Sequence, residues 1–264
     1  MRYYDNLYID GVSATPSSVQ TITIVSTDSG PIGTMPLAQS ADVDAAVDAA
    51  RRAFDGPAGW ARLAPAARAE ALRGFADAVD ERRAEFARGG LGPAAPQPPG
   101  AASPAQWLRG CADVIDNLHA VEHVCPARGP IGVVGVVVPW SFPQMQGFIT
   151  ICPALAAGCP VVVKPTVVVT PYSEVVFDDF LLDHFLLAEA AVESRLPAGA
   201  LNIVPGIPAL GAYVVTHSRI DRIALTGHRC RSPVIRPPGW TDSLAGRIRE
   251  WTATRPGGPL RLPA

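Results

Sequence analysis

Residues 131–143 read Ile-Gly-Val-Val-Gly-Val-Val-Val-Pro-Trp-Ser-Phe-Pro, and residues 161–166 read Val-Val-Val-Lys-Pro-Thr. Each is a short β-branched run closed by proline, the composition of a strand buried on both faces and stopped at its end. Between Gly129 and Ser173 the only charged side chain is Lys164. A membrane helix needs only about 20 apolar residues, so the length alone is ambiguous. Pro139, Pro143, Pro153 and Pro160 decide it by cutting the stretch into pieces too short to span. Buried parallel strands are the better reading, and no membrane association is expected.

Outward from these runs the chain alternates. Strands are expected at 131–138, 161–164, 201–204 and 222–225, with helices at 144–157, 172–194 and 209–217 between them. Such alternation requires right-handed crossovers and gives an α/β fold: a Rossmann-like parallel sheet flanked by helices. In sheets of this kind the ligand lies beyond the carboxyl ends of the strands. Upstream, Leu7-Tyr8-Ile9-Asp10-Gly11 and residues 21–25 alternate like short antiparallel strands. Two amphipathic helices follow. The first has Ser40 as candidate N-cap and repeats Val43, Ala46, Val47, Ala50 and Phe54; the second begins near Pro65 and repeats Leu72, Phe75, Val79 and Phe86. Residues 89–103 are Gly, Ala and Pro without periodicity and read as an irregular loop, followed by a helix over 104–122. Residues 1–227 are therefore expected to form one domain with its ligand at the carboxyl ends of the parallel strands. Residues 228–264 hold seven arginines, no lysine and six prolines without an apolar period, the pattern of a disordered tail.

Of the 22 basic residues, all but Lys164 are arginine, and the net charge is −2. That balance supplies no basic face for nucleic acid. The five cysteines, Cys111, Cys125, Cys152, Cys159 and Cys230, form no Cys-x-x-Cys pair and no metal-ligand pattern with the five histidines. An odd cysteine count in a chain of this length reads as reduced and intracellular. The first twenty residues carry acids and tyrosines rather than a basic then apolar leader, so a cytoplasmic location is expected.

At the strand ends lie the candidate ligand groups. Val138, Pro139, Trp140 and Ser141 leave the first strand with a rigid backbone, an aromatic ring and a hydroxyl, one wall of a flat site; the plainer reading is a proline-rich turn with a core tryptophan. Lys164 and Thr166 end the next strand. A lysine on a surface is usually only solvated, but the single lysine of an arginine-rich chain at the end of a buried strand suits phosphate or hydroxyl contacts. Gly206 and Gly211, after the third strand, and Thr226 and Gly227, after the fourth, allow backbone amides to approach phosphates, although glycine after a strand is commonplace.

Together these residues resemble the aldehyde dehydrogenase family. The family pattern Pro-Trp-Asn-Phe-Pro, then Pro-Ala-Leu-Ala-Ala-Gly, then Val-Val-x-Lys-Pro is matched at residues 139–143, 153–158 and 161–165. It continues through Leu196-Pro197-Ala198-Gly199-Ala200-Leu201-Asn202-Ile203-Val204-Pro205-Gly206 and Ile223-Ala224-Leu225-Thr226-Gly227. The likeness covers most of residues 6–88 and 129–227. It implies an aldehyde-dehydrogenase-like N-terminal domain, an aldehyde substrate, and NAD or NADP as cofactor. By the same resemblance Val138, Pro139 and Trp140 line the cofactor site, Lys164 meets the adenosine ribose, and Thr226 and Gly227 begin the turn against the pyrophosphate.

The departures bear on activity. Ser141 replaces the family's asparagine, whose amide donates to the substrate oxyanion, and a hydroxyl is shorter with one donor. Val167 stands where many members carry the glutamate that pairs with the lysine on the ribose. The loop from Gly206 to Gly211 is shortened. Residues 89–128 are too irregular for the strand pair through which members assemble, which leaves self-association or association with intact relatives open. The turn Thr-Gly-Ser-Thr-x-x-Gly becomes Thr226-Gly227-His228-Arg229-Cys230-Arg231-Ser232, and Glu-Leu-Gly-Gly-Lys, the cysteine after Gly-Gln and Glu-x-Phe-Gly-Pro are absent. Codons for residues 228–232 read one nucleotide later permit Thr-Ala-Val-Gly, so a frameshift near Gly227 is expected. The sequence therefore predicts an incomplete family member, without catalytic residues, in which cofactor binding is weakened or lost. The alternative is a non-catalytic nucleotide-binding or interaction fragment.

Overall fold

A computed structural model describes residues 2–26, 30–88, 103–121, 129–138, 143–165, 174–176 and 180–225. The strands in chain order are β1 (Arg2–Tyr3), β2 (Leu7–Ile9), β3 (Val12–Ala14), β4 (Thr21–Ser26), β5 (Gly30–Pro36), β6 (Val134–Val138), β7 (Val161–Pro165), β8 (Glu174–Val176), β9 (Leu201–Ile203) and β10 (Arg222–Leu225). The helices are α1 (Ser40–Asp55), α2 (Pro65–Glu81), α3 (Arg83–Arg88), α4 (Pro104–Val121), α5 (Pro143–Ala156), α6 (Phe180–Glu193) and α7 (Pro208–Thr216). No helix among the described residues is long and apolar enough to cross a membrane.

The larger sheet has the order β10-β6-β7-β9-β2-β3. Its first four strands pair in parallel, as the strand and helix alternation requires. The sheet is nonetheless mixed, because the β2–β3 hairpin joins antiparallel to β9. Its tight turn holds Asp10 at φ 58° and Gly11 at φ 79°, the twist that a two-residue hairpin needs. Buried Asn202 locks the hairpin in place: its Oδ1 accepts from the Asp10 N–H at 3.0 Å, and its Nδ2 donates to Gly199 O at 2.9 Å and Val161 O at 3.3 Å. An amide satisfied on both sides fixes register where apolar packing alone would permit a slip.

Strand alternation divides the core in two. Tyr8, Val134, Val136, Val138, Val161 and Val163 belong to one apolar cluster with α2, α4, α5 and α6. Leu7, Ile9, Val133, Val137 and Val162 belong to the other, under α1 and α7. Both faces are thus covered, and the uninterrupted valine runs are explained. In the first layer Trp60, fully buried, donates its indole N–H to Leu155 O at 3.1 Å, and Arg68 Nε donates to Ala156 O at 2.8 Å. These two side chains bind carbonyls of the last turn of α5, where Leu155 O also accepts from the Gly158 N–H at 2.9 Å.

Several local expectations are corrected. The region 172–194 is not one helix: Glu174–Val176 instead extends a second sheet, ordered β1-β5-β4-β8, by parallel pairing with β4, and the helix starts at Phe180. The β-branched pair Val175 and Val176 favours the strand. Ser40 is the first residue of α1 and Gln39 is its cap; the Gln39 N–H donates to the Asp42 carboxylate at 2.7 Å, and Ser17 holds the same carboxylate through its N–H and hydroxyl, both at 2.8 Å. Phe86 lies on a separate short helix, α3. Pro153 falls inside α5 and does not end it. Ser103 leaves the irregular loop to cap α4, accepting from the Gln106 N–H at 3.2 Å while its own N–H donates to Gln106 Oε1 at 2.7 Å. Residues 89–102 and 122–128, and the whole tail 228–264, lie outside the described residues.

Candidate functional site

Parallel register brings the strand ends to one edge. Val138 of β6 aligns with Pro165 of β7, and Leu225 of β10 aligns with Val137. Beyond β9 the chain leaves along the same edge: the Val204 N–H donates to Val163 O at 2.9 Å, and the Gly206 N–H reaches Pro165 O at 3.5 Å. Ala38, just before α1, closes this corner by donating to Pro205 O at 2.8 Å. The polypeptide then enters α7 with Pro208 at its first turn, a position where a missing amide proton costs nothing.

Lys164 stands in the middle of this edge. It is the register partner of Val137 and, by alternation, points to the face covered by α1 and α7, as Val162 does. It is wholly shielded from solvent. Desolvation pushes its ammonium down from an ordinary 10.5 to about 7, because removing a cation from water favours the neutral amine. The wall beside it is Gly211: a Cβ built there would lie 3.7 Å from Val137 Cγ1 and 3.9 Å from Lys164 Cδ and Nζ. Gly135 performs the corresponding task one strand away, since a Cβ there would come within 3.2 Å of Val214 and 2.8 Å of Ile223. A glycine inside an otherwise all-valine strand is the sequence signal of such a close approach.

The structure thus brings Lys164, Gly206 and Gly211 to one corner. Val138 ends its strand at the same edge, but its side chain is buried in the core on the opposite face. Pro139, Trp140, Ser141, Thr166, Thr226 and Gly227 lie outside the described residues. Three cysteines are placed, all buried and free: Cys111 in α4, Cys152 in α5, and Cys159 in the turn before β7. Burial pushes the thiols of Cys111 and Cys159 up to about 12, and Cys152 well above its ordinary range. None of the three is a thiolate nucleophile at neutral pH.

A group that sequence reading did not pick out holds α7 on α1. Asp44 Oδ1 accepts from the Tyr213 hydroxyl at 2.8 Å and from the His217 ring at 3.1 Å. Arg219 adds an ion pair to Asp48. Each residue taken alone looks like ordinary surface polarity, and only the pairing of two helices distant in sequence reveals the group.

A parallel sheet with a lysine at the end of its second strand, and a glycine-bearing helix over it, is the arrangement that the motifs anticipate. The profile of the aldehyde dehydrogenase family matches residues 14–231. The chain belongs to this family. It is 35% identical over 247 residues to geranial dehydrogenase of Castellaniella defragrans, covering 88% of this chain and 49% of that protein. It is 33% identical over 241 residues to aldehyde dehydrogenase family 2 member C4 of Arabidopsis thaliana, covering 85% and 45%. Among solved structures, the aldehyde dehydrogenase of Mycobacterium tuberculosis complexed with NAD+ superposes with a TM-score of 0.64 at 29% identity, over 84% of this chain and 46% of that one. The NAD+ complex of the Bacillus cereus aldehyde dehydrogenase gives 0.66 at 26% identity, over 85% and 46%. The chain spans about half the length of the curated relatives it matches. As an aldehyde dehydrogenase family member it also matches the profile across residues 89–128 and past Gly227 to Arg231, a longer stretch than the motifs delimit.

Proposed function

We propose that residues 1–227 form an NAD(P)-binding domain of an aldehyde dehydrogenase, with the dinucleotide lying along the carboxyl edge of β10, β6, β7 and β9, and that residues 228–264 take no part in it. Lys164 carries the reading: the single lysine of the chain is buried at the end of β7 with the Gly211 backbone as its wall. An ammonium placed in this way at the carboxyl edge of a parallel sheet suits contacts to ribose hydroxyls or phosphate. Gly206 and Gly211 flank the α7 entrance, where Gly206 packs against Leu210 and Ala38 and Gly211 against Val137 and Lys164, so the chain passes close to the strand ends where a phosphate-bearing ligand would lie. The relatives solved with NAD+ support the cofactor class.

In this reading residues 139–141 line the cofactor site, with Val138 contributing only its main chain because its side chain is buried on the opposite face, Lys164 meets the adenosine ribose, and Thr226 and Gly227 begin the turn against the pyrophosphate. Bound NAD or NADP supplies a hydride acceptor for the oxidation of an aldehyde to a carboxylic acid. This chain's own residues bind and orient it. The covalent step needs an activated thiol, and Cys111, Cys152 and Cys159 are buried with raised pKa values. Among the described residues no thiol is activated, and binding without turnover is the behaviour expected of them. Titration with NAD and with NADP, followed by intrinsic fluorescence, tests the first part: saturable binding that falls at least tenfold in Lys164→Met is expected, and equal affinity in the two proteins overturns the assignment. Carboxylic acid formed from an aldehyde by the purified chain overturns the second.

A further inference from the structure

Lys164 is shielded from solvent and α7 supplies part of its cover, so the placement of α7 governs how Nζ meets a ligand. Two contacts place that helix. At its entrance the Ala38 N–H binds Pro205 O, ahead of Gly206. Toward its carboxyl end Asp44 binds Tyr213 and His217 with one oxygen, and the geometry of His217 makes this bond directional. The Arg219 N–H donates to His217 Nδ1 at 3.2 Å, so the ring proton sits on Nε2 and points at Asp44. The Tyr213 and His217 rings meet edge to face, with centroids 5.8 Å apart, which stiffens the pair. The inner face of the same helix carries Leu210, Gly211 and Val214 onto the sheet. Tyr213 and His217 therefore lie about half a turn and about one and two-thirds turns beyond Gly211, and a rotation of α7 that breaks their bonds also lifts Gly211 from Val137 and Lys164.

We infer that Asp44 is a positioning residue for the cofactor corner: by gripping Tyr213 and His217 it sets α7 at the height over β6 and β7 at which Gly211 walls Lys164. The inference rests on the dinucleotide reading above for its functional meaning, but its geometry is separate from it. An exposed ion pair on the same face serves as the internal comparison. Arg219 and Asp48 are about half exposed, and Asp44 is equally so at 46%; the difference lies in the His217 side chain, which is 7% exposed and hydrogen-bonded at both ring nitrogens. Exposed pairs of that kind contribute little to placement.

Because Lys164 is the sole lysine, the full chain labelled with 13Cε-lysine gives one side-chain ε signal whose pH titration reports the enclosure of Nζ. Asp44→Ala is expected to raise the titration midpoint by about one unit, as water reaches the amine. Asp44→Asn removes the charge but keeps the accepting oxygen, and is expected to leave the midpoint within about 0.3 unit; Asp48→Ala is expected to do the same. In parallel NAD titrations Asp44→Ala weakens binding about tenfold, with Asp44→Asn and Asp48→Ala within about threefold of the parent. Equal shifts in Asp44→Ala and Asp44→Asn, or none in either, overturn the inference. If the parent binds neither NAD nor NADP, the proposed function fails and the lysine signal still decides the role of Asp44. If Asp44→Ala does not fold, Tyr213→Phe, which removes one of the two donors, is expected to raise the midpoint by a few tenths, and an unmoved midpoint there overturns the inference.

Discussion

The two ends of the parallel strands are built by opposite rules. At the amino end the chain enters β6 and β9 through glycines that permit no side chain. Gly132 has φ 137°, and a Cβ there would lie 2.0 Å from Asp221 Oδ2; Gly199 has φ 73°, and a Cβ would lie 2.3 Å from Ala49 O. Asp221 fills the space beside Gly132, accepting from the Val133 N–H at 2.8 Å and pairing with Arg51 on α1. At the carboxyl end, by contrast, Gly211 has an ordinary backbone and its missing side chain would meet its neighbours at van der Waals distance. The amino end is closed against main-chain and carboxylate oxygens, while the carboxyl end holds a buried ammonium beside a glycine with room for a methyl group, although Gly206 on the same edge packs tightly on Leu210. This difference is what a scaffold needs in order to keep one edge rigid and present the other to a ligand.

The largest break in that comparison comes from Gly199→Ala. A positive φ and an overlap with a main-chain carbonyl together cost about 4 kcal/mol, since backbone strain and overpacking each contribute about 1–3 kcal/mol. The midpoint of urea unfolding measures it, and an unchanged midpoint would mean that the amino edge is no tighter than the other. Next in size is the pH dependence of Lys164. Its folded pKa, about 7, lies below its ordinary 10.5, so between those values the unfolded chain binds more protons and stability rises with pH. Below about pH 7 both states are protonated and the full penalty remains. From pH 7 to 9.5 the parent is expected to gain about 3 kcal/mol relative to Lys164→Met, at about 1.4 kcal/mol per unit. The window stops there because burial raises Tyr8 to about 12, a shift that lowers stability as pH climbs beyond the usual tyrosine range. Parallel slopes for the two proteins would deny Lys164 its burial.

The strands were the most legible part of the chain. Valine runs bounded by proline admit few alternatives, and β6, β7, β9 and β10 lie within a few residues of their expected positions. The β8 segment was not legible, because three residues show no period and their state depends on β4, some 150 residues away in sequence. In the candidate site, Lys164, Gly206 and Gly211 were readable from their positions after strands. The Asp44 clasp was not, because tyrosine, histidine and aspartate on helix surfaces have no local pattern that marks a tertiary bond. Asn202 was equally silent: its motif marked the family, while its physical work of joining three segments emerges only from the pairing of β9 with β2 and β7.

A smaller effect is expected at the closed edge, where α5 ends. Trp60→Phe removes one of the two donors to Leu155 O, the other being the Gly158 N–H at 2.9 Å, and leaves part of the buried indole volume unfilled, together costing about 1–2 kcal/mol. Thermal unfolding checks it, and an unchanged midpoint would show that the Gly158 N–H alone satisfies Leu155 O and that the indole site refills.

The smallest stability effect should come from the open edge, and it sharpens the contrast most. Gly211→Ala adds a methyl at van der Waals distance from Val137 and Lys164, on a helix where alanine is favoured over glycine by about 1 kcal/mol. Unfolding should therefore move by no more than about 1 kcal/mol, and in the stabilising direction. Binding should move the other way: the methyl takes up room beside Nζ that a ribose would use, and NAD affinity is expected to fall at least about threefold. Stability and affinity changing in opposite senses would identify Gly211 as a residue kept small for the ligand. If affinity is unchanged, the room beside Lys164 belongs to packing, and the carboxyl edge loses its distinction from the amino edge.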